Sequence, residues 1–302
     1  MTLVVAPCPI CDGVNHRPLY AATIPLDAND AAAYCGSSRI RAGHLPIVQC
    51  AGCGLVMTNP QDDSGTLARV YAAHVDAAYE LEYENRRRAA ERHVRFVAGY
   101  QARPGRILDI GCATGIFARA AQKSGWAATG LDTSEWMVSV ARQRCPEATF
   151  EVGTLENAAF APGSFEVITL WDVLEHLSEP LATLRRVREW LVPNGWLFLS
   201  LPNRGSAVAR IMGKRWPMLL REHLWYFSPV TLEKLLTCCE FDLVRTRPKL
   251  VRFSLANVLG RLAQYPTLMP EALGRMSRIS MFRRIRLLFP MGEIDVAAKT
   301  RG

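Results

Sequence analysis

Two aspartates and two glycines near the middle of the chain have the types and spacing of a ligand-binding cradle. Asp109 and Gly111 end an apolar stretch within the run Arg106-Ile-Leu-Asp-Ile-Gly-Cys-Ala-Thr-Gly115. Glycine has no Cβ, so Gly111 and Gly115 let the backbone turn sharply and approach a bound molecule closely. Asp109 lies near the carboxyl end of a predicted first strand, where open α/β sheets bind their ligands. Asp132 ends the next apolar stretch and predicts a second carboxylate at the same edge.

A dinucleotide is the first ligand to consider, because Rossmann enzymes seat a pyrophosphate on G-x-G-x-x-G at this position. Counted from Gly111, that pattern needs glycines at positions 113 and 116, where the chain has Ala113 and Ile116. The motif Asp-Ile-Gly-Cys-Ala-Thr-Gly instead resembles the first motif of the class I S-adenosylmethionine-dependent methyltransferases, whose ligand has no phosphates. This resemblance implies that the cofactor contacts Asp109, Gly111, Cys112, Ala113, Thr114 and Gly115.

The resemblance extends from Arg106 to Leu201. Asp132 is at the distance of the acid that binds ribose hydroxyls in nucleotide sites generally. The segment Phe150–Leu155 matches the third strand and turn, where this family holds the adenine edge, although Thr154 replaces the frequent acid. The run from Ser164 to Leu177, with its Asp-Val-Leu-Glu-His, resembles the fourth strand and turn of the small-molecule branch. The further cofactor contacts implied are Asp132, Thr133, Met137, Thr154, Leu155, Trp171 and Asp172.

Two histidines are candidates for a general base. Methyl transfer requires alignment of the acceptor with the methyl group and, for a hydroxyl acceptor, removal of its proton. His176 follows Asp172 by one helical turn, and His223 lies in the aromatic-rich run from Arg221 to Phe227. Each histidine could instead only form hydrogen bonds across the site, because proximity and desolvation supply much of the acceleration. The sequence leaves these two roles open.

Four of the nine cysteines form two C-x-x-C pairs, Cys8-Pro-Ile-Cys11 and Cys50-Ala-Gly-Cys53. Each pair can turn two thiolates toward one tetrahedral zinc ion, while backbone N–H groups donate to the sulfurs. Four protein ligands would close the site, which favours a role in folding over a role in catalysis. Redox thiols or unrelated cysteines are the alternatives to this predicted structural zinc site.

A spacer of 38 residues, from 12 to 49, separates the two cysteine pairs. It is longer than the usual zinc-ribbon hairpin, so it must contain an insertion. With the following run Gly54-Leu-Val-Met-Thr-Asn-Pro60, the pairs resemble the N-terminal zinc ribbon of a branch of bacterial class I methyltransferases. Many members of that branch act on sugars or secondary metabolites. The implied zinc ligands are Cys8, Cys11, Cys50 and Cys53, and the alternative ligands in the spacer are His16, Cys35 and His44.

Alternating strands and helices must bring these residues together. Helices are predicted at 116–124 and after Ser134, Ser178 and Ser228. Strands are predicted at 126–131, 196–201, 241–244 and 293–299, and a strand with its following turn at 150–155 and at 164–177. In the segment after Ser178, Asn194-Gly195 is predicted to end the helix. This order predicts an α/β fold with a doubly wound, mostly parallel seven-stranded sheet and an antiparallel last strand. We expect a zinc-ribbon-like module over 1–60, a helical cap over 61–104, and a methyltransferase domain over 105–302 with a basic helical insertion at about 250–290.

Length and composition are those of a globular enzyme. The 302 residues, 49% of them apolar, are enough to build a full core. The first residues lack a charged region followed by a long apolar run, and no uncharged apolar stretch is long enough for a membrane span. An odd number of cysteines without an export signal favours a reducing compartment. The sequence therefore predicts a cytoplasmic protein.

The net charge of +8 is concentrated in one segment. Residues 245–286 contain ten Lys and Arg against one acid, Glu271. One interpretation is a helical lid or dimer contact with an incidentally basic outer face. The other is attraction to anionic lipid, at the inner face of the membrane, or to a phosphate-bearing substrate. Oligomeric state is open.

The methyl acceptor is expected to be a small molecule. Methyltransferases that act on exocyclic base amines carry N-P-P-Y or D-P-P-Y after the fourth strand, where this chain has Leu170-Trp-Asp-Val173. Nucleic acid is therefore disfavoured despite the basic segment. We expect an S-adenosylmethionine-dependent O-methyltransferase with structural zinc, acting on a sugar, lipid-linked or secondary-metabolite hydroxyl, with C- and N-methylation as alternatives. A binding or scaffold protein with a catalytically idle cradle is the hypothesis from a different class.

Overall fold

In the described residues of the N-terminal part, short strands are followed by two helices. This computed structural model describes residues 2–26, 43–73, 80, 82–254, 275–276 and 286–301. The strands are β1 (Leu3–Val4), β2 (His16–Tyr20), β3 (Ile47–Cys50), β4 (Val56–Thr58) and β5 (Gln61–Asp62). The helices are α1 (Ser64–Ala72) and α2 (Tyr83–Ala98). They lie within the segment predicted to be a helical cap.

Seven strands form the central sheet: β6 (Arg106–Ile110), β7 (Ala127–Asp132), β8 (Thr149–Val152), β9 (Phe165–Trp171), β10 (Leu191–Pro202), β12 (Phe241–Ser254) and β13 (Arg286–Thr300). Their spatial order is β12-β13-β10-β9-β6-β7-β8. Strands β10 to β8 in this order pair in parallel, and β13 is antiparallel to both β10 and β12. The predicted fold class is confirmed. The order reverses beside β6, so the carboxyl ends of β6, β7 and β9 border the crevice where such sheets bind ligands.

Helices α3 (Ile116–Gln122), α4 (Glu135–Arg144), α5 (Pro180–Trp190), α6 (Ala207–Met212) and α7 (Pro229–Thr237) connect these strands. The predicted starts at Ser134 and Ser228 are confirmed, because each side chain accepts a backbone N–H of the first helical turn. Ser228 forms a full capping box with Thr231. Helix α5 begins with Pro180, but Glu179 rather than Ser178 is its N-cap residue.

The end of α5 differs from the prediction that placed a helix stop at Asn194-Gly195. The helix ends at Trp190, and β10 begins at the next residue, Leu191. Leu191 already pairs with Phe165 of β9, and the register then shifts before Trp196. Asn194 turns the backbone there with a φ of 62°. The dipeptide is therefore an irregularity inside a long strand, because pairing with β9 begins before the turn residues are reached.

A second sheet joins the N-terminal strands to the rest of the chain. Its order is β11-β4-β3-β2, and β11 (Trp225–Tyr226) comes from the C-terminal half. The N–H of Thr58 donates to the C=O of Leu224 at 2.9 Å, and the Thr58 hydroxyl donates to the C=O of His223 at 2.8 Å. The N-terminal strands are therefore bonded directly to the segment that carries His223.

The predicted insertion begins later and ends earlier than expected. Strand β12 continues to Ser254 and β13 begins at Arg286, so both strands extend into the range 250–290. The ladder between them persists to the pair Ser254–Arg286. Of the residues between these strands, the structure describes only 275–276. The helices predicted there lie outside the described residues. Among the helices that are described, none combines the length and apolar character that a membrane span needs.

Candidate active site

The glycine-rich loop joins the end of β6 to the start of α3. Gly111 and Gly115 have φ values of 70° and 72°, in the left-handed region that favours glycine. The N–H groups of Gly111 and Cys112 donate to the C=O of Leu131 at 2.8 and 3.1 Å, which anchors the loop to β7. A Cβ on Gly111 would lie 2.5 Å from Cγ2 of Val173. Both the backbone conformation and the packing therefore require glycine at position 111.

Asp132 ends β7 and holds the loop from its other side. Its Oδ2 accepts the N–H of Ala113 at 2.8 Å, and its Oδ1 accepts the N–H of Ser134 at 2.9 Å. A carboxylate offers about four acceptor sites, so these two contacts do not exhaust it. Thr133 follows directly and is half-buried, and Met137 is buried on α4 with its N–H donated to Ser134.

Asp109 is a buried carboxyl at the end of β6. Its Oδ1 accepts the hydroxyl of Thr169 at 2.8 Å. Burial raises the pKa of Asp109 to about 7, with the charge of Asp132 adding to the effect and the Thr169 bond opposing it. A cation bound nearby would favour the charged carboxylate. Asp109 is therefore poised to lose its proton when a positively charged ligand binds.

The remaining predicted cofactor contacts lie on two further loops at the same edge of the sheet. Thr154 and Leu155 form the turn after β8, and Leu155 is buried in it. Trp171 is the last residue of β9. Asp172 follows with a φ of 57°, and its Oδ1 accepts the hydroxyl of Ser200 at 2.7 Å. The fold thus gathers residues of four separate loops at the carboxyl ends of the parallel strands.

The residues at this edge fit S-adenosylmethionine. Asp109 and Asp132 place two carboxyl groups beside the loop, and their negative charge disfavours a phosphate there. The ribose hydroxyls and the ammonium group of S-adenosylmethionine are hydrogen-bond donors, which carboxylates can accept. Residue 113 has a φ of 45° and, unlike a dinucleotide loop, carries a methyl group at this point. The donor and acceptor set matches a cationic ligand without phosphates.

His176, in the turn after β9, and His223, just before β11, lie together. Their ring centroids are 4.8 Å apart at an interplanar angle of 72°. Nδ1 of His176 is 2.9 Å from the C=O of Glu222, and Nδ1 of His223 is 2.8 Å from the C=O of Met218. A carbonyl only accepts, so each Nδ1 carries the proton and each Nε2 is the basic atom of the neutral ring. Burial lowers the pKa of both histidines to about 4.

Glu175 completes this cluster, and the sequence analysis did not single it out. It is 1% exposed, and its Oε1 is 4.0 Å from Nε2 of His176. Its Oε2 has no hydrogen-bond partner among the described residues. Burial, reinforced by the charge of Asp172, raises the pKa of Glu175 well above its usual range. Ligand atoms of Glu175, His176 and His223 lie within 4.8 Å of one another, so the three residues could hold a divalent metal ion.

The four predicted zinc ligands come together at the N-terminal end. The sulfur atoms of Cys8 and Cys53 are 3.3 Å apart, those of Cys11 and Cys50 are 3.5 Å apart, and all four lie within 4.8 Å of one another. Burial alone would raise the pKa of Cys50, but backbone N–H donors in the Cys50–Cys53 turn outweigh it and lower that pKa to about 7. These four cysteines could bind structural zinc.

The alternative ligands suggested by the sequence are not part of this cluster where they are described. Nε2 of His16 is 3.0 Å from the C=O of Gly13, and its Nδ1 is 2.9 Å from the Asn59 side chain. His44 is buried, with Nδ1 2.8 Å from the C=O of Leu45. Cys35 lies outside the described residues.

Two more residues support the residues of this site and were not predicted from the sequence. Arg144 at the end of α4 donates to the C=O of Thr114 at 2.6 Å and pairs with Glu80. Lys249 on β12 contacts Asp172 at 2.6 Å. Neither has a local sequence signal, because each acts across a long stretch of chain. Glu175 did have one, since it lies inside the Asp-Val-Leu-Glu-His run.

Comparison with known proteins agrees with this geometry. A family model described as a methyltransferase domain matches residues 83–246, more than half of the chain. The chain belongs to the methyltransferase domain family. Membership of the class I S-adenosylmethionine-dependent methyltransferases, predicted from the loop motif, is thereby confirmed.

Curated relatives include two named ubiquinone biosynthesis O-methyltransferase. The one from Xanthomonas campestris pv. campestris (strain B100) is 39% identical over 118 residues, covering 37% of this chain and 49% of the relative. The one from Albidiferax ferrireducens is 32% identical over 168 residues, covering 51% and 65%. This chain therefore spans between about half and two thirds of the length of these relatives.

A solved structure also shows the fold. It is the complex between the Haloferax volcanii Trm112 methyltransferase activator and a methyltransferase. The similarity covers 75% of this chain and 94% of the matched chain, with a TM-score of 0.56 and 17% sequence identity. At this identity the likeness concerns the fold alone.

Proposed function

We propose that this chain transfers the methyl group of S-adenosylmethionine to a hydroxyl of a small molecule. The observation that carries the proposal is the pair of carboxyl groups, Asp109 and Asp132, that flank a glycine loop without dinucleotide spacing. The name of the relatives, ubiquinone biosynthesis O-methyltransferase, supports oxygen as the acceptor atom. When bound, S-adenosylmethionine supplies an electrophilic methyl group.

On the cofactor side, the residues predicted from the sequence would each hold one part of the ligand. Asp132 would accept the ribose hydroxyls, and backbone groups of Thr154 and Leu155 would bind the adenine edge. The ionised Asp109 and Asp172 would face the cationic methionine end. The loop from Gly111 to Gly115, with Thr133 and Met137 beside it, would enclose the ligand. Its geometry is set before binding by Asp132 and by the Leu131 carbonyl.

On the acceptor side, we assign proton removal to the histidine pair. Both Nε2 atoms are unprotonated in the neutral tautomer that the carbonyl contacts impose. A general base contributes typically 10²–10⁴-fold to the rate. His223 and His176 would therefore affect kcat more strongly than cofactor affinity. A proton accepted by His176 would lower the pKa of the adjacent Glu175 carboxyl, because a nearby positive charge favours the ionised carboxylate.

The test is a methyl-transfer assay with a labelled cofactor and a panel of acceptors. The panel contains a polyprenylated phenol, a free sugar, a lipid-linked sugar and a primary amine. We expect transfer to a hydroxyl. In His223→Gln and His176→Gln, kcat should fall by roughly 10²-fold or more, while S-adenosylmethionine affinity stays within about twofold. Transfer to the amine alone would contradict the O-methylation proposal, and unchanged kcat in both variants would contradict the assigned base.

The acceptor class that we propose within these hydroxyls is anionic or lipid-linked. The support is the sequence of residues 245–286, with ten Lys and Arg against one acid. Attraction of this kind is screened within about 8 Å at physiological salt, so it should weaken steeply as salt rises. Reversing Arg283, Arg284 and Arg286 to Glu should raise the acceptor's KM or abolish binding to anionic vesicles. A change of oligomeric state with normal acceptor kinetics would favour a dimer contact instead.

We also propose that the N-terminal residues 1–60 form a zinc-stabilised module, followed by the helical cap over 61–104 and the catalytic domain over 105–302. The four-cysteine cluster supports zinc with a structural role, because four protein ligands leave no open position. Direct bonding of β4 to the segment before β11 would let this module support His223. Elemental analysis should find one zinc per chain.

A further inference from the structure

A largely buried lysine near the proposed cofactor site has more bonding partners than a single salt bridge requires. Lys249 is 14% exposed, and its Nζ lies 2.6 and 2.9 Å from the two carboxylate oxygens of Asp172. The same Nζ contacts the hydroxyl of Ser200 at 3.0 Å and Oε1 of Glu293 at 2.9 Å. An ammonium group has three donors, so these three partners use it fully.

The partners of Lys249 come from three different strands. Asp172 follows β9, Ser200 lies on β10 and Glu293 lies on β13. All three meet at the edge of the sheet where the parallel strands end, which is the ligand-binding edge of this fold. Lys249 is therefore the point at which the last two strands are joined to the residue that follows β9.

An irregularity in the ladder directs Lys249 to this point. Pro248 pairs with Ile294, but Leu250 pairs with Pro290, so three residues of β13 oppose Lys249 alone. Bulges of this kind redirect side chains beside functional sites. Gly292 within the bulge has a φ of 84°, and a Cβ there would lie 2.8 Å from the hydroxyl oxygen of Ser206. The regular pairing of β12 with β13 is interrupted at the position where Lys249 and Glu293 turn toward Asp172.

Asp172 is held firmly but remains accessible. Its N–H donates to the C=O of Ser200 at 2.9 Å, and its Oδ1 accepts the Ser200 hydroxyl at 2.7 Å. Its side chain is nevertheless 45% exposed, so one side of the carboxylate is open. The left-handed backbone of Asp172, with a φ of 57°, is costly for a residue other than glycine. Such strain persists only where surrounding contacts impose it.

We propose that Lys249 is a positioning residue of the methyl-transfer site, which holds the Asp172 carboxylate ionised and aimed at the cationic end of the cofactor. The proposal rests on the proposed function, because it assigns to Asp172 the contact with the methionine end of S-adenosylmethionine. Glu293 is the second anchor of the lysine. Lys249 thereby joins the β12–β13 pair to the cofactor site.

The charges around Asp172 determine how the proposal is tested. The charged and titratable groups that act on Asp172 are Lys249 on β12, Glu293 on β13, His93 on α2, Glu175 and His176 in the turn after β9, and His223 before β11. Desolvation by the neighbouring residues would raise the pKa of Asp172, but Lys249 and the Ser200 bond hold it well below its usual range. Burial lowers the pKa of His93, so this ring stays neutral. Lys249 is therefore the principal cation that keeps Asp172 charged.

The experiment measures S-adenosylmethionine affinity by calorimetry from pH 8 to pH 5 in Lys249→Met. We expect affinity at pH 7 to fall about tenfold, the effect typical of removing an outer partner of a ligand-binding residue. We also expect a new loss of affinity on acidification, because without Lys249 the desolvation of the Asp172 carboxyl is no longer offset by a cation and raises its pKa. The double variant Lys249→Met with Asp172→Asn should lack the new step, which assigns it to Asp172 rather than to Glu293.

Lys299→Met is the matched control. Lys299 also lies on the hairpin strands, but it pairs with Trp196 at the opposite edge of the sheet. This control should bind the cofactor as the wild type does, with the same pH dependence. Lys249→Arg keeps the charge, so it should retain the wild-type pH dependence even where Lys249→Met does not fold. A shifted pH dependence in Lys249→Arg would overturn the proposal.

Three other outcomes would overturn the proposal, and they can be distinguished from one another. If Lys249→Met loses thermal stability but keeps the wild-type affinity and pH dependence, Lys249 is only structural and the proposed function stands. If the step persists in the double variant, Lys249 acts through Glu293 and the assignment to Asp172 is wrong. If the wild-type protein itself binds no S-adenosylmethionine, the proposed function fails together with this inference.

Discussion

Substitution of Asp62 by Asn should destabilise the protein far more than an equivalent change on the surface. Asp62 on β5 pairs with Arg221 through two bonds, Oδ1 to Nη2 at 2.9 Å and Oδ2 to Nε at 3.1 Å. Their side chains are 0% and 1% exposed. Removing one charge of a buried pair typically costs about 3–5 kcal/mol, because the other charge stays in a low-dielectric environment. Asp62→Asn should reduce the free energy of unfolding by this amount.

Asp242→Asn is the matched control. Asp242 pairs with Arg301 at 2.7 Å, but these side chains are 61% and 45% exposed. An exposed pair contributes only about 0–1 kcal/mol. Urea unfolding followed by circular dichroism should show a lower midpoint for Asp62→Asn and almost no change for Asp242→Asn. Equal, small shifts in both variants would refute the reasoning from burial.

The same variant should separate catalysis from cofactor binding. Arg221 precedes His223 by two residues, and Thr58 of the neighbouring β4 donates hydrogen bonds to the carbonyl groups of His223 and Leu224. Weakening the ion pair between Asp62 and Arg221 should therefore displace His223 while leaving the glycine loop intact. We expect a lower kcat with S-adenosylmethionine affinity within about threefold of wild type. A loss of cofactor affinity without a change in kcat would contradict this link.

Three further predictions concern the loop, the metal and pH. Gly111→Ala should lose stability and cofactor affinity, because its Cβ would meet a valine methyl at 2.5 Å. Gly163→Ala is the control, since Gly163 has a φ of 65° and no atom lies within 4 Å of its Cβ. In urea unfolding, this control should show only the backbone cost of about 1–2 kcal/mol. Cys50→Ser should lose the zinc found by elemental analysis and, with it, the protease resistance of the N-terminal residues, because the metal closes this segment; retention of both would contradict the zinc site. His176 and His223 have folded-state pKa values of about 4, below the unfolded value of about 6.5, so their contribution to stability is complete above pH 6.5 and declines as the pH falls toward 4. Urea unfolding at pH 7.5 and pH 5 should show a smaller decline in a variant with both histidines replaced by Gln.

The parts of the fold that could be predicted from the sequence have local signals. The glycine loop, the cap at Ser134 and the capping box at Ser228 depend on a few adjacent residues, and the structure has them where expected. The alternation of apolar strands with helices also allowed the mostly parallel sheet to be predicted. In these segments, local preference and tertiary packing favour the same conformation.

The parts that were missed depend on contacts between distant residues. The strand at Trp225–Tyr226 has two residues and exists because it pairs with Val56–Met57, far away in the chain. Lys249 gains its role only where a bulge brings it to Asp172, 77 positions earlier. The helix stop expected at Asn194-Gly195 was wrong because pairing with β9 overrides turn preference. No window of sequence contains such information.

Calorimetric titration with S-adenosylmethionine tests the central claim most directly. The account predicts one site per chain, with weaker binding in Asp132→Ala because a carboxylate that accepts the ribose hydroxyls would be missing, at a cost of about 1–3 kcal/mol. It also predicts that binding near pH 7 releases a proton, since the pKa of Asp109 is about 7 before a cationic ligand lowers it. Titrations in buffers of different ionisation enthalpy measure that proton. Tight binding of NADH with no response to S-adenosylmethionine would contradict the account.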